Sequence, residues 1–160
     1  MATDSPAVQR VKPPLALVKV VNPAMRRVLA SPLHPLVSAH LILLELTGRK
    51  SQRRYRIPVG CQEIDGRPAV FTNSGWRANL RGGGEVMVTI KGVRRAAHAT
   101  LEEDPAAVAA CYADVIEKFG WKAAQRRLGI KINVGRTPTI EELSDAVRSS
   151  GLSIIRLDLA

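Results

Sequence analysis

Residues 47 to 56, Thr-Gly-Arg-Lys-Ser-Gln-Arg-Arg-Tyr-Arg, place five cationic side chains in ten positions between two apolar runs. Arginines at that density can hold phosphate or carboxylate oxygens through charge-assisted, often bidentate hydrogen bonds. A solvated turn fits the same composition, so the residues alone leave both readings open. A phosphate-binding P-loop is excluded. The glycine spacing it requires ahead of Lys50-Ser51 is missing, and the residues that follow alternate like a strand. On that strand Arg54, Arg56 and Pro58 share one face, while Tyr55, Ile57 and Val59 share the other.

A second stretch, Thr72-Asn73-Ser74-Gly75-Trp76-Arg77-Ala78-Asn79-Leu80, ends a strand in small and polar residues and opens a short helix. Backbone N–H groups at such a junction suit a phosphate or a ring carbonyl. Trp76 can stack on a flat ring or, with Leu80 four residues on, pin the helix to a core. Asn79 can serve a ligand or cap the turn. His34, His40 and His98 are scattered without a triad or metal pattern, and Cys61 and Cys111 form no CxxC, so structural roles are expected and no metal site is. Glu45, inside an apolar run, requires a partner such as a hairpin arginine. No side chain is singled out as a catalytic acid, base or nucleophile.

The elements that must position these residues are mostly strands. An apolar run over 40–47, the alternating segment 53–61, a third strand near 69–73 after an Asp65-Gly66 turn, a fourth in which Val86, Val88 and Ile90 alternate, and a fifth through Arg94 to Glu103 read as hairpins of an antiparallel barrel. Asp104-Pro105 opens a helix with Val108, Tyr112, Val115, Ile116 and Phe119 on the stripe expected to face the barrel. Thr139 and Glu142 form a capping box for another helix, with Ile140, Leu143 and Val147 inward. Gly151 stops that helix, and residues 152–159 supply a sixth strand. Near the start, residues 1–13 read as a flexible arm. Asn22 and Pro23 open a helix carrying Met25, Val28 and Leu29 on one face and Arg26 and Arg27 on the other.

The chain has 160 residues and a formal net charge of +10, which predicts an anionic partner and one compact domain over 14–160. No apolar run reaches the roughly 18 residues of a bilayer span, and no secretory signal is evident, so a cytoplasmic location is expected. The basic N-terminal helix adds the expectation of peripheral contact with a membrane. Nucleic acid is not expected as a partner, because base stacking needs aromatic residues among the cations and the basic strands have almost none.

Taken in order, the run from Leu41 to Gly60, the Asp-Gly turn, the segment from Val70 to Gly92, a basic strand and the Asp104-Pro105 helix resemble the deazaflavin-dependent nitroreductase family of actinobacteria over about residues 30 to 120. The resemblance implies an α+β, mainly β fold: the split antiparallel β-barrel of the pyridoxamine-phosphate-oxidase-like, FMN-binding type, with flanking helices. It also implies coenzyme F-420, a deazaflavin with a phosphate and an oligoglutamate tail, as cofactor. Hydride transfer to a quinone-like, nitroaromatic or enone acceptor follows, in a monomer or homodimer. Carried over by position, the family's Thr-Gly-Arg-x-Ser turn falls on Thr47, Gly48, Arg49, Lys50 and Ser51, facing the phosphate and tail. Arg54 extends this cluster, Arg-x-Pro falls on Arg56 and Pro58, and Val59 lies beside the ring. The strand end falls on Thr72, Asn73 and Ser74, and the following helix on Trp76, Asn79 and Leu80. Where the nitroimidazole-reducing members have Trp-Tyr, this chain has Trp76-Arg77. The same barrel with FMN, haem or a fatty acid, or as a cofactor carrier without catalysis, is the alternative.

Overall fold

A computed structural model describes residues 5–11, 23, 27 and 41–160. Most of the expected N-terminal helices, with His34 and His40, lie outside these residues; Pro23 and Arg27 are helical. Eight strands are present among the described residues: β1 (Val8–Arg10), β2 (Leu41–Thr47), β3 (Arg54–Ile64), β4 (Arg67–Thr72), β5 (Gly84–Ile90), β6 (Val93–Glu102), β7 (Ile130–Ile132) and β8 (Ser153–Leu159). They alternate with a 3-10 helix (Gly75–Leu80) and three α-helices, α1 (Pro105–Phe119), α2 (Trp121–Leu128) and α3 (Ile140–Ser150). The α+β, mainly β expectation holds. Six strands close into a barrel in the order β2-β3-β4-β8-β6-β5.

Local chemistry explains the hairpins. Asp65 and Gly66 have φ of 52° and 76°, and Lys91 and Gly92 have 48° and 78°, so both β3–β4 and β5–β6 turn through paired left-handed residues whose twist matches that of the strands. β2 runs antiparallel to β3 on one side and to β5 on the other, with Glu45 opposite Arg56 and Met87. Because strand side chains alternate, Ile42, Leu44 and Leu46 enter the barrel interior together with Val70, Leu80, Val86, Val88, Ala97, Ala99, Ile155 and Leu157. Glu45 and Thr47 therefore face outward.

By its internal contacts the chain divides into two compact units. One takes 23, 27, 41–70, 74–101 and 155–160 of the described residues, and the other takes 5–11, 71–73 and 102–154. In the second, Asp104 accepts a hydrogen bond from Ala107 N–H at 3.0 Å, and Pro105 opens α1. Val108, Tyr112, Val115 and Ile116 of the expected stripe are buried. The Tyr112 ring meets Phe71 edge-on, with centroids 4.9 Å apart, and burial pushes its phenol well above its ordinary titration range. The capping box of α3 is complete, with reciprocal Thr139 and Glu142 bonds. Ile140, expected inward, is instead 51% exposed: it sits at the first helical position, where the chain has not yet turned its apolar face inward.

Three elements here escaped the sequence reading: β1, β7 and α2. Val8–Arg10 is a strand rather than part of a flexible arm: it pairs with Ile130–Ile132, buries Val8, and is held by bonds from Asn133 to the carbonyls of Ala7 and Pro6. Its partner lies some 120 residues away, and three-residue strands carry no periodic signal. Helix α2, rich in cations, leads into that partner through Gly129 at φ 62°.

Glu142 also accepts two bonds from Arg136, at 2.7 and 2.9 Å, and this pairing with the Thr139 N–H brings its carboxyl down to about 2. A depressed carboxylate stabilises the fold above its unfolded value and loses that contribution as pH falls towards the folded one. Glu142→Gln should therefore lower the melting temperature at pH 7, and the gap from the parent should close between about pH 4.5 and 2 in a calorimetric pH series. A constant gap would show that the pairing is not the cause.

Candidate functional site

Outward-facing residues of four adjacent barrel strands line a cleft of about 480 Å³: Thr47 and Glu45 on β2, Arg54 and Arg56 on β3, Glu85 and Met87 on β5, and Arg94 and Ala96 on β6, with Leu46 and Val86 at its edge. The ladder aligns them in rows, Thr47 with Arg54, Glu45 with Arg56 and Met87, and Met87 with Ala96. Glu45 finds the partner its setting demands. Its carboxylate lies 3.3 Å from Arg56 Nε and 2.7 Å from Arg94 Nε, and its side chain is 20% exposed against 49% and 57% for the two arginines. Arg54 forms no ion pair among the described residues. Glu85 turns to His98 on the paired position of β6, Oε1 to Nδ1 at 2.6 Å.

The hairpin between β2 and β3 is tied down by its own backbone. Gly48 N–H donates to Arg53 O at 2.8 Å and Gln52 N–H to Gly48 O at 2.9 Å, while Gln52 takes a left-handed φ of 56°. A Cβ at Gly48 would sit 2.5 Å from Ser51 Oγ and 2.9 Å from the Tyr55 ring, so both exposed side chains would have to move to admit one. Arg49 bonds to the loop that follows the 3-10 helix. Its guanidinium donates to Arg81 O and, at 3.3 Å, to Gly83 O, while its backbone N–H donates to Asn79 Oδ1 at 3.0 Å. Asn79 in turn donates to Trp76 O at 2.9 Å. Asn79 and Arg49 thus lock the hairpin to the 3-10 helix and the loop after it. Lys50, Ser51, Arg53 and Arg54 stay exposed, and Ser51 Oγ lies 3.1 Å from Tyr55 Oη.

The residues of the second expected wall also make contacts within the fold. Leu80 is buried in the barrel and Trp76 packs against the same core, which favours the pinning role over a stacking platform. Thr72 is buried, and Asn73 donates to Ser150 O at 3.2 Å. The segment after Ser74 is a 3-10 helix of six residues, in which Arg77 N–H donates to Ser74 O at 3.2 Å and the Ser74 side chain provides no cap. Val59 packs with Ile57 against the barrel core, on the opposite strand face from Pro58 and the cleft arginines. The sequence reading missed Glu85, Met87, Arg94 and Ala96. Their alternation with Val86, Val88 and Ala97 was visible, but only the closed ladder shows β6 meeting the same cleft as β3.

Burial, aided by Glu63 and opposed by a backbone bond from Ala69, raises the Cys61 thiol, and Cys111 is buried. Neither is a ready nucleophile. No cluster of metal-ligating side chains occurs among the described residues, and no helix among them is long and apolar enough to cross a membrane.

No family model and no curated protein matches the chain. Among solved structures, it is similar to a chain described as a domain-swapped dimer, at 14% identity and a TM-score of 0.46, covering 88% of this chain and 98% of that one. It is also similar to the conserved hypothetical protein Rv2991 of Mycobacterium tuberculosis, at 15% identity and 0.44, covering 92% and 81%.

Arg49→Ala should lower stability by about 1 kcal/mol, since its bonds are charge-assisted but exposed. It should also speed amide exchange in residues 79–83. Unchanged exchange there would remove the proposed lock between hairpin and loop.

Proposed function

We propose that the chain is an oxidoreductase that binds reduced coenzyme F-420 across the arginine-lined cleft and passes hydride to a quinone-like, nitroaromatic or enone acceptor. The observation that carries this reading is the coincidence of the cationic hairpin with the cleft: Arg54 and Arg56 line it, and Lys50 and Arg53 stand exposed on the adjoining loop. A cleft of about 480 Å³ with Leu46, Val86, Met87 and Ala96 among polar groups has the size and mixed lining of a small-molecule site.

The residues present fit the group. A phosphate suits the guanidinium groups of Arg54 and Arg56, and an oligoglutamate tail suits the exposed Lys50 and Arg53, whereas FMN would leave the loop cations unused. A deazaflavin supplies a hydride held on carbon and works in two-electron steps. The chain's part is to bind, orient and exclude water: the cations fix the anionic end, and the apolar cleft residues shield the reacting face. Trp76 and Leu80 act at a distance by holding the 3-10 helix against the core, and Arg49 and Asn79 by holding the hairpin. No protein nucleophile is required, in keeping with the hindered thiols.

A fluorescence titration of oxidised coenzyme F-420, with FMN and single-stranded DNA in parallel, tests the proposal. Saturable, salt-sensitive binding of the deazaflavin is expected, and its absence would overturn the reading; preference for FMN or DNA would reassign the occupant. The double variant Lys50→Ala, Arg54→Ala should weaken coenzyme binding about tenfold and flatten its salt dependence, because each exposed cation contributes about 1 kcal/mol or less. Equal affinity would put the tail elsewhere.

A further inference from the structure

Glu45 accepts a hydrogen bond from Arg94 Nε at 2.7 Å and pairs by charge with Arg56, whose Nε lies 3.3 Å away, through its two separate oxygens. A guanidinium has five N–H donors, and engagement at Nε leaves the two terminal nitrogens to bond elsewhere. Among the described residues those terminal groups have no hydrogen-bond partner in either arginine, and both side chains line the cleft. The two guanidinium groups come from strands on either side of the β2–β5 pair and meet at one carboxylate, less exposed than either.

We propose that Arg56 and Arg94 form a clamp for a phosphoryl oxyanion, with Glu45 as the positioning residue that bonds the inner edge of Arg94, draws that of Arg56 by charge, and leaves their outer edges to the ligand. Arg94 thereby becomes a binding residue supplied by β6, outside the hairpin. Arginine is suited to this and lysine is not: only the planar fork can be gripped at one edge and present two parallel donors at another. A surface ion-pair cluster without a ligand would account for the contacts, but in it Glu45 would act merely as counter-charge. The two roles predict opposite effects when that charge is removed. The clamp rests on the proposed function only for the identity of the molecule carrying the phosphate.

Inorganic pyrophosphate, titrated into the full chain while the arginine Nε–H signals are followed by NMR, tests the clamp independently of the coenzyme. Saturable shifts of the Arg56 and Arg94 signals are expected, and immobile signals would overturn the proposal. Arg94→Lys keeps the charge yet should lose about tenfold in pyrophosphate affinity; an unchanged affinity would count against the clamp. Glu45→Gln decides between brace and counter-charge. As a brace, its loss weakens binding despite the added positive charge; tighter binding than the parent would sink the idea. If pyrophosphate binds as described while coenzyme F-420 does not, the clamp stands and the functional reading falls.

Discussion

One carboxylate in an apolar strand sets much of what surrounds it. Strand β2 fills the barrel with Ile42, Leu44 and Leu46, and the two-residue period of a strand then forces Glu45 to the outer face. There it is mostly covered, and a covered carboxylate without partners is costly. Its cross-strand neighbour in the ladder is Arg56, and the next strand but one brings Arg94 within 2.7 Å. Inner packing and outer charge are therefore coupled: slipping β2 by one residue against its neighbours would bury Glu45 and expose the leucines in the same movement. The cleft inherits its register from the core.

The hairpin above the cleft illustrates how a cation-rich motif divides its labour. Of the five cations between Thr47 and Arg56, Arg49 is consumed by carbonyls of a neighbouring loop, Arg56 by Glu45 at one edge, and Lys50, Arg53 and Arg54 remain exposed. Arg49 is not wasted in this role. Three positive-φ positions, Gln52, Gly82 and Gly83, cluster around the hairpin and the loop it grips, and segments that lack regular hydrogen-bond ladders need such cross-ties to hold one shape. Gly83 has a steric reason as well, since a Cβ there would come within 3.0 Å of His98 Nε2.

How much of this was legible in the sequence depends on the range over which each signal acts. The six barrel strands, the two left-handed turns at Asp65-Gly66 and Lys91-Gly92, the Asp104 cap and the Thr139–Glu142 box are local patterns, and each appears where its residues predict. Strand alternation also separated Arg54 and Arg56 from Ile57 and Val59. What stayed hidden needed distant partners: the β1–β7 pairing, the turning of Arg49 towards Arg81 and Gly83, the bond from Asn73 to Ser150, and the arrival of Arg94 at Glu45. Val59, placed beside a ligand ring by resemblance, and Trp76, open between ring stacking and pinning its helix, both pack against the core.

The strand order carries a consequence for how the molecule comes together. β8 lies between β4 and β6, yet the whole helical segment separates it from β6 in sequence. During synthesis the first hairpins can zip locally, while the outer edges of β4 and β6 wait for a partner not yet made. Closure is thus a late, long-range event. The half-open barrel exposes two unpaired backbone edges, the kind of surface through which growing chains aggregate or borrow a strand from a neighbour.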